Sequence, residues 1–213
     1  MKTTIKIVGV LILLLATFGK GLTVSAGGGG GGTFKLKGQT ASAHFSNVDQ
    51  SGCIYTDVYV YASEEIVSTQ PGPGAPSSGA SVSIYQFDAC TGTQLLGADG
   101  FIPLAESDFQ VSRKFESAGL NTTVTVFDYL SGSSYNVYVA LTWSGISPIG
   151  HQTNQSHYQF AGCHQKYHSN GTFRFAQVSG SVSDGVTDFA VTPFSDATIS
   201  SVRTGSVSTG CIQ

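Results

Sequence analysis

The sequence predicts an all-β protein: an antiparallel two-sheet β-sandwich or jelly-roll-like fold of about ten or more short strands. Three observations carry this expectation. Apolar and polar residues alternate with a period of two along most of the chain, as half-buried strands of an antiparallel sheet require. Turn sequences that begin with Asp or Asn and contain Gly separate the alternating runs, because Asp bonds its own backbone and Gly supplies positive φ. No segment joins 3.6-residue periodicity to helix caps.

The elements follow in chain order. Met1–Ala26 reads as a secretory signal peptide: Lys2 and Lys6 are basic, Ile7–Phe18 is apolar, and Val24-Ser25-Ala26 offers small residues for cleavage. Twelve apolar residues are too few for a bilayer-spanning helix, which needs about 20. A glycine-rich flexible leader, 27–33, follows, with six consecutive glycines at Gly27–Gly32. It lacks the Gly-Lys-Ser/Thr of a phosphate-binding loop. The remainder, 34–213, reads as a single β-sandwich domain.

Within it, Cys53–Ala62 alternates Ile54, Val58, Val60 and Ala62 against Tyr55, Asp57, Tyr59 and Tyr61. Tyr135, Val137, Val139, Leu141 and Trp143 make a second apolar face. Phe109, Val111 and Phe115 alternate with polar residues, and similar runs occupy 34–38, 41–46, 82–87, 93–97, 122–127, 156–160, 172–178, 187–192 and 197–203. Turns are expected at Asp49–Gly52, Asp88–Gly92, Asp128–Gly132 and Asn170-Gly171, and an exposed Pro/Gly loop at Ser68–Gly79. Phe87–Gly92 resembles Phe127–Gly132, which two hairpins meeting one φ demand explain better than duplication. A sandwich is favoured over a closed barrel. An antibody-type domain is disfavoured, since Trp143 lies far downstream of Cys53.

Composition narrows function. Removing Lys2, Lys6 and Lys20 with the signal leaves 7 basic against 13 acidic residues, a formal charge of −6. No stretch gathers Lys or Arg, so nucleic acid is a poor partner, and no transmembrane segment remains after cleavage. The four cysteines, Cys53, Cys90, Cys163 and Cys211, form an even set behind a secretion signal and imply two disulfides. The pairing Cys53–Cys90 with Cys163–Cys211 is preferred because the loops are moderate and do not interleave. Each closure contributes about 4 kcal/mol in the chain-entropy model. Together with the signal peptide they predict a secreted, extracellular protein.

The Ser51-Gly52-Cys53 lead-in to a Tyr/Val strand, the turn Phe87-Asp88-Ala89-Cys90-Thr91, and Gly162-Cys163 after an aromatic strand resemble a group of secreted bacterial all-β proteins with no assigned function. The resemblance spans most of the chain beyond the signal. It implies an extracellular location and no particular activity.

Two constellations could carry chemistry. Tyr55, Tyr59 and Tyr61 would form a row opposite the Ile/Val face, spaced about 6.6 Å at the closest. Exposed rings in a row stack on the apolar C–H face of a sugar, whereas a row turned inward is core. The second is histidine-rich: His151, His157, His164 and His168 are imidazoles of the kind that bind Zn or Cu. Their expected positions at different ends of a sheet weigh against convergence, and polar loop and edge histidines are the plainer reading. His44 reads as a hydrogen-bonded sheet residue. Nucleophile-elbow and zinc-hydrolase motifs are absent. Glu64 and Glu65 point to opposite faces, although a converging carboxylate pair among 13 acids would escape notice in a sequence.

The sequence thus favours a non-enzymatic extracellular binding or surface-associated module, with a glycan or cell-surface component as partner and no cofactor. The alternative is a Zn- or Cu-dependent protein or enzyme built on the four histidines.

Overall fold

A computed structural model describes residues 33–69, 75–160, 163–190 and 194–211. Residues 1–26, expected to be a signal peptide, and Gly27–Gly32 lie outside the described residues. Ten strands are present: β1 Thr33–Val48, β2 Ile54–Thr69, β3 Ala75–Asp88, β4 Thr93–Pro103, β5 Phe109–Val111, β6 Ser117–Asp128, β7 Ser133–Gly145, β8 Gly150–Phe160, β9 Cys163–Ser183 and β10 Phe194–Cys211. The described residues contain no α-helix, only a short 3₁₀ turn at Arg113–Phe115. No helix among them is long and apolar enough to cross a membrane.

Every pairing between strands is antiparallel. The order is β10-β1-β2-β3-β4-β6-β7-β9-β8, with β5 on β6, and a further pairing joins β10 to β9. That last contact brings the sheet back on itself. Strands β10-β1-β2-β3-β4 and β6-β7-β9 are thus two walls of one continuous hydrogen-bonded circuit, joined by two seams, with β5 paired on β6 and β8 on β9. One seam is narrow, Ala98–Gly100 of β4 against Val126–Asp128 of β6. The other is long, running from Ala197↔Ala176 to Cys211↔Cys163.

Alternation fills the space between the walls. Val58, Val60 and Ala62 of β2 meet Val82 and Ile84 of β3 and Ala41 and Phe45 of β1; Val137, Val139, Leu141 and Trp143 come from β7. Trp143 is fully buried and crosses the core, its indole N–H donating to the Ser42 carbonyl of β1 at 2.8 Å. Burying such side chains stabilises by about 25 cal/mol per Å² of apolar surface.

The hairpin turns follow the expected chemistry. Asp88 Oδ1 accepts the Cys90 and Thr91 amides at 2.8 and 3.1 Å, and Asp128 accepts those of Leu130 and Ser131. Gly92 and Gly132 close the two turns at φ 73° and 69°. Asp49 likewise accepts from Cys53 and Ile54. Because strand directions alternate, these three turns and the β9–β10 connection lie at one end of the molecule.

Four expectations change. The strands are longer than expected: 34–38 and 41–46 merge into β1, since Gly38, lacking a Cβ, lets the Glu64 carbonyl approach. Asn170-Gly171 is not a turn but lies inside β9, where Gly171 admits the Ser201 carbonyl of β10. The glycine serves close backbone approach there. The Pro/Gly loop shortens, because β2 continues to Thr69 and β3 starts at Ala75; residues 70–74, with Pro71 and Pro73, lie outside the described residues. Pro76 is tolerated because that end of β3 pairs with β2 alone, so its missing N–H breaks no second ladder. Finally, 187–192 does not form a strand over its described part. Asp184 and Asp188 draw nearby amides into turns, and the Ser183↔Asp188 bridge is isolated.

Candidate ligand-binding face

The face of β2 opposite the core carries Tyr55, Asp57, Tyr59 and Tyr61. None belongs to the central core, which takes the alternate residues. Register then decides what surrounds each ring. Tyr55 pairs with Phe87 of β3, Asp57 with Tyr85, and Tyr59 with Ser83, itself opposite Asp99 of β4. Tyr55 is 42% exposed and Phe87 44%. The equivalent hairpin β6–β7 adds Phe127 and Tyr129, their rings 5.7 Å apart and edge-on. Tyr129 is 59% exposed.

Two same-face register rows along β3 from Phe87, the Asp99 carboxylate accepts two phenols, Tyr129 at 2.7 Å and Tyr85 at 3.1 Å. The hydrogen bond to Asp99 pushes the Tyr129 phenol up to about 12, with burial and the Asp99 charge adding to it. For Tyr85 burial is the largest cause of a raised value, and the Asp99 charge comes second. Asp99 is thereby oriented, with two rings flanking it.

The three tyrosines expected as a row are not equivalent. Tyr59 stacks flat on the His44 ring at 4.2 Å. His44 Nε2 sits 3.0 Å from Asp57 Oδ1 and its Nδ1 3.7 Å from Asp196, so His44 is the hydrogen-bonded sheet residue that was expected. Burial raises the Tyr59 phenol first, and the Asp57 and Asp196 charges follow. Burial likewise drives the Tyr61 phenol well above its usual range, followed by the charge of Glu65 on the same face of β2. Tyr55 is the most open of the three.

The Cys53–Cys90 disulfide ties the start of β2 to the β3–β4 turn beside this face, with a Cα–Cα distance of 5.3 Å. With Asp88 these cysteines are the one group of three His, Cys, Asp or Glu donors within metal-binding distance among the described residues, and both sulfurs are committed to each other. Cys163 and Cys211 are direct register partners on β9 and β10.

The four histidines share one face of the β8–β9 pair: His151 lies opposite Thr172, His157 opposite Lys166, His164 opposite Gln159 and His168 opposite Gln155. His157, His164 and His168 lie toward the β8–β9 turn, whereas His151 lies at the other end of β8, so only the first three are neighbours along the pair. His157 and His164 meet edge-on at 6.2 Å between ring centroids. The described residues place no three of the four within ligand distance of one another.

Sequence reasoning missed Tyr85, Phe87, Asp99, Phe127 and Tyr129. A signal existed for two of them: Phe87 and Phe127 open the two similar turn sequences, and so occupy equivalent hairpin positions. The fold and this face define an antiparallel β-sandwich-like protein with exposed aromatic side chains and an oriented carboxylate on one face. No known protein family, curated protein or solved structure matched the chain.

Proposed function

We propose that the protein is a secreted, non-enzymatic carbohydrate-binding module, in keeping with the group of secreted bacterial proteins it resembles. The observation that carries this reading is the run of exposed rings on one face, Tyr55 and Phe87 in one register row and Phe127 and Tyr129 beside Asp99 in another. Ring faces pack on sugar C–H groups, and an oriented carboxylate accepts sugar hydroxyls. The signal peptide, the Cys53–Cys90 disulfide and the Cys163/Cys211 register support an extracellular setting, where a second disulfide would form.

The test is retention on insoluble and soluble glycans. Tyr55→Ala and Phe87→Ala are expected to weaken binding about five- to tenfold each, about 1–1.4 kcal/mol, with thermal unfolding unchanged. A glycan panel that retains wild type and both variants equally would overturn the reading.

The edge-on His157–His164 pair supports a second reading, a Zn or Cu site on the histidine face. It predicts stabilisation by added Zn or Cu that His157→Ala abolishes.

A further inference from the structure

The basic residues beyond the signal are scattered in sequence: Lys35, Lys37, Arg113, Lys114, Lys166, Arg174 and Arg203. Two of them, Lys37 and Arg203, meet in the structure at one cleft. The cleft, about 340 Å³, lies between the Arg113–Phe115 turn and the β10-β1-β2 wall, and is lined by Lys37, Gln39, Glu64, Phe115, Ser201 and Arg203 among others. Lys37 and Arg203 are exposed and approach because β10 is bulged at Arg203, between Gly38↔Val202 and Leu36↔Gly205. Phe115 brings the Arg113–Phe115 turn to the cleft, and Arg174 of β9 holds that turn from outside the lining, its Nη1 donating to the Lys114 carbonyl at 3.4 Å.

Two further features mark the site. Among the described residues, Lys114 and Phe115 are the non-glycine residues with positive φ, at 64° and 53°. Consecutive left-handed residues are strained, and such strain gathers where a structure must aim a side chain; here it turns Phe115 into the cleft wall. Gly145 lets the turn settle onto β7 and β9, since a Cβ there would meet the Phe115 carbonyl at 2.5 Å and Arg174 at 2.7 Å.

We propose that this cleft is a second binding site, for a carboxylate- or sulfate-bearing sugar unit of an acidic polysaccharide. Lys37 and Arg203 pair with the anionic group, Phe115 packs on the ring, and Gln39, Glu64 and Ser201 take hydroxyls. A guanidinium suits a planar carboxylate or a sulfate. Beyond the cleft the same face of the sheet continues through Lys35, Ser206 and His168 in one register row, a polar path for further units of a chain. The ligand class rests on the glycan-binding reading; the site does not, because it shares no residue with the aromatic patch.

The experiment is direct binding of the secreted protein to polygalacturonate, dextran sulfate and uncharged dextran at about 0.15 M salt, where long-range attraction between exposed charges is largely screened. Either acidic polymer should be retained and plain dextran should not be retained through this cleft; the preferred polymer tells carboxylate from sulfate. The double variant Lys37→Gln/Arg203→Gln, at two exposed positions, should lose at least tenfold in affinity with its thermal transition unchanged. Phe115→Ala should weaken acidic binding, while Tyr55→Ala should leave it intact. Loss of neutral-glycan binding alone would sink the aromatic-patch reading and spare this one. Failure of both acidic polymers to bind, equal binding by the double variant, or capture by anionic phospholipid vesicles only would overturn it.

Discussion

Asp88 and Asp128 show how much one side chain decides here. Each holds a tight hairpin by accepting two backbone amides, and the side-chain hydroxyls of Thr91 and Ser131 are the largest causes that keep the two carboxyls below their ordinary value of 3.8; those of the Asp49 turn are the Ile54 amide and Ser51. Asp88→Ala leaves the Cys90 and Thr91 amides to water and should lower the urea midpoint modestly, while Asp88→Asn, which keeps the accepting oxygen, should recover most of the loss at neutral pH. Glu65 has the opposite sign: burial raises its carboxyl above 4.5, against a lowering hydrogen bond from Tyr61. Its ionised form is the disfavoured one in the folded state, so stability falls as pH rises through its folded value, and Glu65→Gln should remove that fall. Asp99 offers a direct readout. Ultraviolet titration of Asp99→Asn should bring the Tyr129 phenol down from about 12 toward 10; an unchanged titration would deny Asp99 its role at the aromatic face.

Among the elements, β7 and β9 carry the greatest structural weight. Trp143 is the largest fully buried side chain and spans from β7 to β1. Its replacement by Ala should cost about 3–5 kcal/mol, read as a lowered urea midpoint, because the cavity lies where both walls meet. β9 is the longest strand, serving β7 with one stretch and β8 and β10 with another. At its start, Cys163 faces Cys211 in register, and antiparallel partners lie about 4.5–5.5 Å apart at Cα, within disulfide reach. Non-reducing peptide mapping should recover a Cys163–Cys211 peptide; free thiols there would remove that pairing. Individual elements were largely legible in sequence because alternation reports a half-buried strand wherever the core is close. The exceptions share a cause. At Gly38 and Gly171 the glycine answers to a neighbouring backbone rather than to its own φ, and Pro76 is excused by an edge, so both residue types lost their usual meaning as strand breakers.

For the whole molecule, acid response sums the residue effects. Three turn carboxyls, those of Asp49, Asp88 and Asp128, are lowered in the folded state. The stability they contribute is complete above the unfolded value of 3.8 and is lost as pH falls through their lower folded values, so the urea midpoint should drop below about pH 4. A midpoint that holds steady to pH 2 would contradict the arrangement. By itself the sequence determined the all-β class, the antiparallel pairing, the Asp/Gly turns at 49–52, 88–92 and 128–132, and the placing of Tyr55, Tyr59 and Tyr61 on the face of their strand opposite Val58 and Val60. Those depend on neighbours one to four residues apart, where side-chain chemistry and backbone geometry act locally. Only the tertiary structure decided which tyrosine stays open, since stacking on His44 fixes Tyr59. It alone set Asp99 between Tyr85 and Tyr129, put four histidines on one face, and brought Lys37 and Arg203 to one cleft. These groupings depend on strand order and register between distant segments, and no local pattern along a chain encodes either.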